Sequence, residues 1–359
     1  MKIIDERQKV KNRAILFLKN LEYKTEVYIL GTNLYGAVTA KWLLQLGYTV
    51  GGFINDFETN TKFKNFKVFK SIELPTHIFV INCIVEGRVI IAEQNIKKLN
   101  LISHIDYFTL QLAFPDDLIE INFLNDTSSI LKNADEYLIL YKFLADIESK
   151  ETLKKIVNFR LNRDIKNLEY FQYRIDKQYF EPFTQLNNEP SFIDGGGFDG
   201  ETSINFAKLY PNYKNIYYFE PNKAALLASQ EKLDNLSNIH YFQKGLWSKT
   251  DYLLFNSTLG SASKLTSQGN IKIETTSIDE LINSKIDFIK LDIEGAEYDA
   301  LIGAKQLICK YKPLLAICVY HNQTDFIRIP KLLLSYNKNY KIYLRHYTQG
   351  VFETVMYFV

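Results

Sequence analysis

The sequence predicts an α/β protein made of two sheet-based domains joined by a helical connector. Three observations carry that reading. Short apolar strand-like runs alternate with helical spacing in both halves of the chain, and each half has a strand that runs into a glycine-bearing turn. Between them, residues 113–185 show helical spacing, as in ADEYLILYKFLADIE, and contain no glycine. The domains expected are therefore 1–112, 113–185 as a structured connector, and 186–359.

In the second half, residues 191–201 read SFIDGGGFDGE, an apolar strand entering a turn in which Gly195, Gly197 and Gly200 satisfy the G-x-G-x-x-G spacing. Glycines there permit a tight turn and close backbone approach. Asp194, Asp199 and Glu201 flank the point where a dinucleotide would set its pyrophosphate on a helix N-terminus. Those charges repel a dianion and favour S-adenosylmethionine, an adenosine cofactor whose ammonium and sulfonium are positive. The other reading is a turn whose acids cap a helix.

The helix NFAKLYPNY leads to the run Ile216 to Phe219, which ends on Glu220, placed to accept hydrogen bonds from a ribose diol, with Pro221 and Asn222 opening the next helix. NIHYFQ reads as a third strand and KGLWSKTDYLLF as a turn with an extra extended piece. IDFIKLDIEGAEYDALIGA is a fourth strand entering a helix, with Asp292 at the carboxyl end where open sheets bind ligands and Glu294, Gly295 and Glu297 just beyond. PLLAICVY is a buried strand followed by His321. YKIYLRHY and FETVMYFV, parted by Thr348, Gln349 and Gly350, read as a hairpin, so a doubly wound parallel sheet closes with an antiparallel edge.

Residues 145–359 resemble the FkbM-type S-adenosylmethionine-dependent methyltransferases, through FIDGGGFDGETS, FEPN, FQKGLWS and, most specifically, FIKLDIEGAEYDALIGA. The upstream DIESKETLKKIVNFRLNRDIKNLE followed by QYFEPF is similar too. The resemblance implies a class I methyltransferase sheet in which Asp194 to Gly200 surround the methionyl part, Glu220 with Asn222 beside it holds the ribose, Leu246 or Trp247 lies against adenine, and Asp292 sits near the reactive methyl. It also implies that Gln178 and Tyr179 close over the cofactor, or else pack at a helix end, and that Gly260 to Leu265, with Ser261, lies on the substrate side or is an ordinary loop.

Methyl transfer is an in-line displacement, so the protein must align the acceptor and assist removal of its proton. His321 is the candidate base, the alternative being a hydrogen-bonded loop histidine. Asp292 and Glu294 complete the expected catalytic set. With Glu297 they offer oxygens to a divalent cation, but in no diagnostic spacing, and no metal ligand is assigned.

The 359 residues suit two domains, and a net charge of +2 gives no electrostatic case for nucleic acid. Cys83, Cys309 and Cys318 form neither a metal spacing nor an even disulfide set, which implies a reducing compartment. MKIIDERQKVKNR lacks an apolar h-region, and no segment offers a transmembrane span, so a cytoplasmic protein is expected.

In the first half, EVYILGTNLYG, AVTAKWLLQLG, TVGGFINDF and THIFVINC give strand, helix and two strands, with Asp56 near a strand end. Gly31 and Gly36 frame Asn33, which is expected to supply a left-handed turn residue. Both halves thus read as Rossmann-like. The first either holds the nucleotide of a sugar precursor, with Asp56 near the ribose or base, or serves as a scaffold or dimerisation element. The function expected is O-methylation of a sugar hydroxyl in a cell-surface glycan or its nucleotide-linked precursor. The rivals are an NAD(P)-dependent sugar oxidoreductase, against which the acid-lined second glycine turn counts, and a non-catalytic nucleotide-binding assembly protein.

Overall fold

A computed structural model describes residues 1–21, 25–124, 127–255 and 271–359. The chain is mixed α/β with parallel-dominated sheets, and its contacts divide it into two compact units. The first holds Met1–Lys132, Leu153–Tyr173 and Tyr347–Phe352, the second Asn133–Thr152, Arg174–His346 and Glu353–Val359. Residues 113–185 accordingly contribute to both units.

The first unit contains β1 (Glu26–Leu30), β2 (Thr49–Ile54), β3 (Lys62–Phe63), β4 (Phe66–Phe69), β5 (Ile78–Asn82) and β6 (Leu101–Asp106), in the order β3-β4-β2-β1-β5-β6. All pairings are parallel except the β3–β4 hairpin. Val27, Ile29, Val80 and Ile81 have no exposed surface, as strands covered on both faces require. In the turn after β1 the left-handed residue is Gly31 (φ 114°), and Asn33 is extended (φ −130°). From that conformation Asn33 Oδ1 accepts the Gly36 N–H at 2.9 Å and caps the helix Leu34–Gln45, which corrects the left-handed role expected for it. Asp56 accepts from the backbone N–H and the hydroxyl of Ser71, both at 2.7 Å, and so fastens the short helical turn Ser71–Glu73.

The second unit contains β7 (Ser191–Gly195), β8 (Asn215–Phe219), β9 (Ile239–Phe242), β10 (Gly245–Leu246), β11 (Asp251–Phe255), β12 (Ile271–Thr276), β13 (Phe288–Leu291), β14 (Leu314–Cys318), β15 (Ile342–His346) and β16 (Thr354–Phe358). Seven of these form the main sheet in the order β15-β16-β14-β13-β7-β8-β9. The five strands from β14 to β9 run parallel, and β16 pairs antiparallel with both β14 and β15. The terminal hairpin is present as expected, but its last strand lies inside the sheet. β10, β12 and β11 make a separate small sheet. Beneath the main sheet, Phe192 stacks on Phe206 and Phe288 at centroid distances of 4.4 and 5.0 Å, which seats the helix Glu201–Leu209.

The turn after β7 has little room. A Cβ on Gly196 (φ 72°) would stand 1.9 Å from the Asp292 carbonyl oxygen, and one on Gly197 would stand 2.2 Å from the Tyr218 ring. Gly47 (φ 86°) faces no atom within 4 Å. Gly47→Ala therefore meets backbone strain alone and is expected to cost about 1 kcal/mol, whereas Gly196→Ala adds a clash with backbone and should cost about 3 kcal/mol or more. Urea midpoints of the two variants, compared with the wild type, check the order.

Candidate active site

In a parallel sheet the strand ends that share one edge bring their following loops together, and here the edge is formed by β14, β13, β7 and β8. The loop after β7 is stitched to its neighbours through backbone. Gly196 and Gly197 donate to the Phe219 carbonyl at 3.0 and 3.1 Å, and Asp292 donates to the Gly195 carbonyl at 3.1 Å. Gly200, left-handed at φ 80°, opens the helix Glu201–Leu209.

Asp194 is fully buried and takes hydrogen bonds from Ser203 Oγ at 2.7 Å and Lys290 Nζ at 3.1 Å. Lys290 also donates to the carbonyls of Gly195 and Gly196, at 3.2 and 2.6 Å. Burial alone would lower the Lys290 pKa, but the charges of Asp194 and Asp292 carry it above the ordinary value. Asp199 and Glu201 are more than half exposed and share Lys232, at 3.2 and 3.1 Å. The three carboxylates that the sequence assigned to a cationic ligand thus share two lysines, Asp194 with Lys290 and the exposed Asp199 and Glu201 with Lys232. Asp194 shapes the turn from within.

Glu220 follows β8 and is 7% exposed. One carboxylate oxygen accepts the Phe198 N–H at 3.1 Å and the other the Asn222 N–H at 2.7 Å. Burial raises its pKa, against the pull of those two donors. Asn222 spends its own Oδ1 on the N–H groups of Ala224 and Ala225, capping the helix Lys223–Lys232. Beyond it a cavity of about 650 Å³ opens at the ends of β8 and β9, lined among others by Pro221, Asn222, Phe242, Gln243 and Tyr252. Leu246 is buried and reaches toward Gly195, while Trp247 is half-buried with its N–H on the Thr276 carbonyl.

Past β13 and β14 lies an acid-rich cluster. Asp292 accepts from the hydroxyls of Tyr179 at 2.8 Å and Tyr320 at 3.2 Å. His321, 1% exposed, sets Nδ1 2.9 Å from Glu297 Oε1 and Nε2 3.5 Å from both Asp292 Oδ1 and Glu294 Oε2. Burial pulls the His321 pKa down, but Glu297 and then Asp292 and Glu294 outweigh it and lift it to about 9. Burial raises Glu294 to about 8, and also raises Glu353, which accepts from Gln178, to about 7. Asp292 goes the other way: burial would raise it, but His321, Lys290 and the Tyr179 hydroxyl together bring it below the usual carboxylate value.

Residues 194–342 match the model of the methyltransferase FkbM domain. The matched residues all lie in the second unit. The whole chain is similar to a methyltransferase FkbM from Methylobacillus flagellatus KT, 24% identical over 97% of this chain and 93% of that one, with a TM-score of 0.76, which shows a shared fold. Aeropyrum pernix fibrillarin, bound to S-adenosyl-L-methionine, is 10% identical over 52% of this chain and 71% of that one. Its TM-score of 0.32 gives it no weight here. No curated protein matches the chain.

In the second unit, Asp292, Glu294 and His321 come together as the sequence suggested, and Tyr179 joins them through its hydroxyl. Ser261 and the rest of Gly260–Leu265 lie outside the described residues. Asp56 belongs to the other unit, bound to Ser71. Asp292, Glu297 and His321 bring donor atoms within 4.8 Å of one another, as do Asp292, Cys318 and Glu353. Glu297 already serves the Ile293 N–H and His321 with one oxygen, and Asp292 holds two tyrosines, so we assign no metal to either group. Sequence reasoning missed Lys290 and Glu353. A lysine inside the apolar run FIKLDI is a signal for a buried partner. Glu353 gives none.

Two lysines of the second unit separate a buried pair from a solvated one. Lys290→Met strands the Asp194 charge and is expected to cost about 3–5 kcal/mol. Lys232→Met, at the exposed pair, should change stability by less than about 1 kcal/mol. Guanidinium unfolding of both variants checks the contrast.

Proposed function

We propose that this protein is an S-adenosylmethionine-dependent O-methyltransferase acting on a sugar hydroxyl of a cell-surface glycan or its nucleotide-linked precursor. The observation that carries the cofactor is Glu220, a buried carboxylate at a strand end, followed in the chain by Pro221 and Asn222, which line an open cavity. Each of its oxygens takes one backbone N–H, which leaves lone pairs for the two hydroxyls of a ribose. The residues fit an adenosine: Glu220 would hold the sugar, and the cavity past Pro221 and Asn222 would take the base. Bound there, S-adenosylmethionine supplies the methyl group.

The acceptor's proton falls to His321, whose Nε2 lies between Asp292 and Glu294 at the end of the central strands. Asp292, kept ionised and held by Tyr179 and Tyr320, stabilises the imidazolium formed. The first unit we read as a Rossmann-like scaffold, since Asp56 is occupied by Ser71. Three free cysteines accord with a reducing, cytoplasmic setting.

Only a neutral imidazole accepts a proton, and with a pKa of about 9 most of His321 is charged at neutral pH. Turnover should therefore climb as pH rises through about 9 and level off above it. Transfer of labelled methyl to a panel of nucleotide sugars measures this, and a rate that does not vary with pH would remove His321 from the role of base. Calorimetry tests the cofactor: S-adenosylhomocysteine should bind wild type and weaken by about 1.5–3 kcal/mol in Glu220→Ala. Asp56→Ala should bind as wild type does. Binding of NAD with none of S-adenosylhomocysteine would sink the proposal.

A further inference from the structure

We propose that Glu297 is a positioning residue for this reaction: it holds His321 by Nδ1, so that Nε2 is the nitrogen presented to the acceptor. The inference rests on the reading of His321 as the base and assigns a role to a residue that does not itself meet substrate.

Four carboxylates surround this imidazole, and distance sorts them. Glu297 Oε1 stands 2.9 Å from Nδ1, within hydrogen-bond range, whereas Asp292 and Glu294 stand 3.5 Å from Nε2, beyond it. Glu353 acts on the ring through its charge. From the remaining neighbours, the Tyr320 ring lies 4.0 Å from that of His321, Lys290 acts on Asp292 through its charge, and Asp325 feels the charge of Glu297.

Glu297 also differs from the others in being rigidly placed. It has no exposed surface, whereas the side chains of Asp292 and Glu294 are 21% and 24% exposed. Its Oε1 also accepts the Ile293 N–H at 2.8 Å, which fixes it to the loop carrying the left-handed pair Glu294 (φ 58°) and Gly295 (φ 99°). Asn322, next to His321, closes the same loop by donating to the Gly295 carbonyl at 3.1 Å. A carboxylate buried this deeply is costly unless a cation or strong donors face it. Here the facing group is the imidazole.

The proton balance follows. Neutral His321 keeps its proton on Nδ1 toward Glu297, and the acceptor hydroxyl gives its proton to Nε2. The resulting imidazolium is paired on one side by Glu297 and on the other by Asp292 and Glu294. Glu297 remains a carboxylate throughout.

The experiment is histidine-selective nitrogen NMR on the full chain, which has five histidines, with the His321 signals identified by their loss in His321→Ala. In wild type the neutral ring should carry its proton on Nδ1, and a proton on Nε2 instead would overturn the proposal without any variant. In Glu297→Gln, which keeps an acceptor for the Ile293 N–H, the His321 titration should move toward its ordinary range. Above about pH 9, where His321 is neutral in both proteins, that variant should lose kcat by up to about 10²–10⁴-fold, with KM retained. Glu297→Asp should recover part of the loss. Unchanged titration in Glu297→Gln that still binds S-adenosylhomocysteine would refute the positioning role and leave His321 as base. Full turnover by His321→Ala would instead refute the base reading, whatever the tautomer. If Glu297→Gln fails to fold, the wild-type tautomer decides.

Discussion

The buried pair of Asp194 and Lys290 underlies the rest of the second unit. It joins two adjacent central strands, β7 and β13, and the same ammonium gathers the carbonyls of Gly195 and Gly196. Those contacts set the turn from which Phe198 reaches Glu220, and they bring the turn against the backbone of Asp292. A charge buried in a sheet is unfavourable unless matched. The match here also fixes loop geometry, so one interaction serves both the folding of the sheet and the alignment of its working edge.

Most of the architecture was legible because it rests on local signals. Alternating apolar runs gave β7, β8, β13 and β14, and the glycine turn, Glu220 and Asp292 fell at strand ends where the reading put them. The charges misled. Linear sequence shows Asp194, Asp199 and Glu201 as neighbours, but their partners Lys290 and Lys232 lie 96 and 31 to 33 residues away. Asn33 shows a second limit: its tolerance of left-handed angles was weighed, but its capping of the helix that follows decided its conformation. Glu353 was invisible because its setting is made by Gln178, 175 residues distant, and not by its own neighbours.

The cluster around His321 has more carboxylates than cations, and burial divides their behaviour. Asp292, with two phenol donors and nearby positive charge, stays ionised; Glu294 and Glu353, less well supplied, hold their protons to about 8 and 7. Similar acids in one small volume thereby take different protonation states. Such separation is what lets a single histidine be flanked by negative charge without every flanking group ionising at once.

The position of β16 carries a consequence for how the protein is made. Tyr357 on that strand receives the Tyr179 N–H at 3.0 Å, and Tyr179 in turn holds Asp292. Glu353 comes from the same stretch. On the ribosome these residues emerge after all the others in the site, so a nascent chain can build the turn at Gly196 and the acid at Glu220 while the Tyr179 N–H still lacks the Tyr357 hydroxyl. The glycine turn thus precedes the completed cluster around Asp292 in synthesis, and a chain cut short before Glu353 would leave β14 bare along one edge.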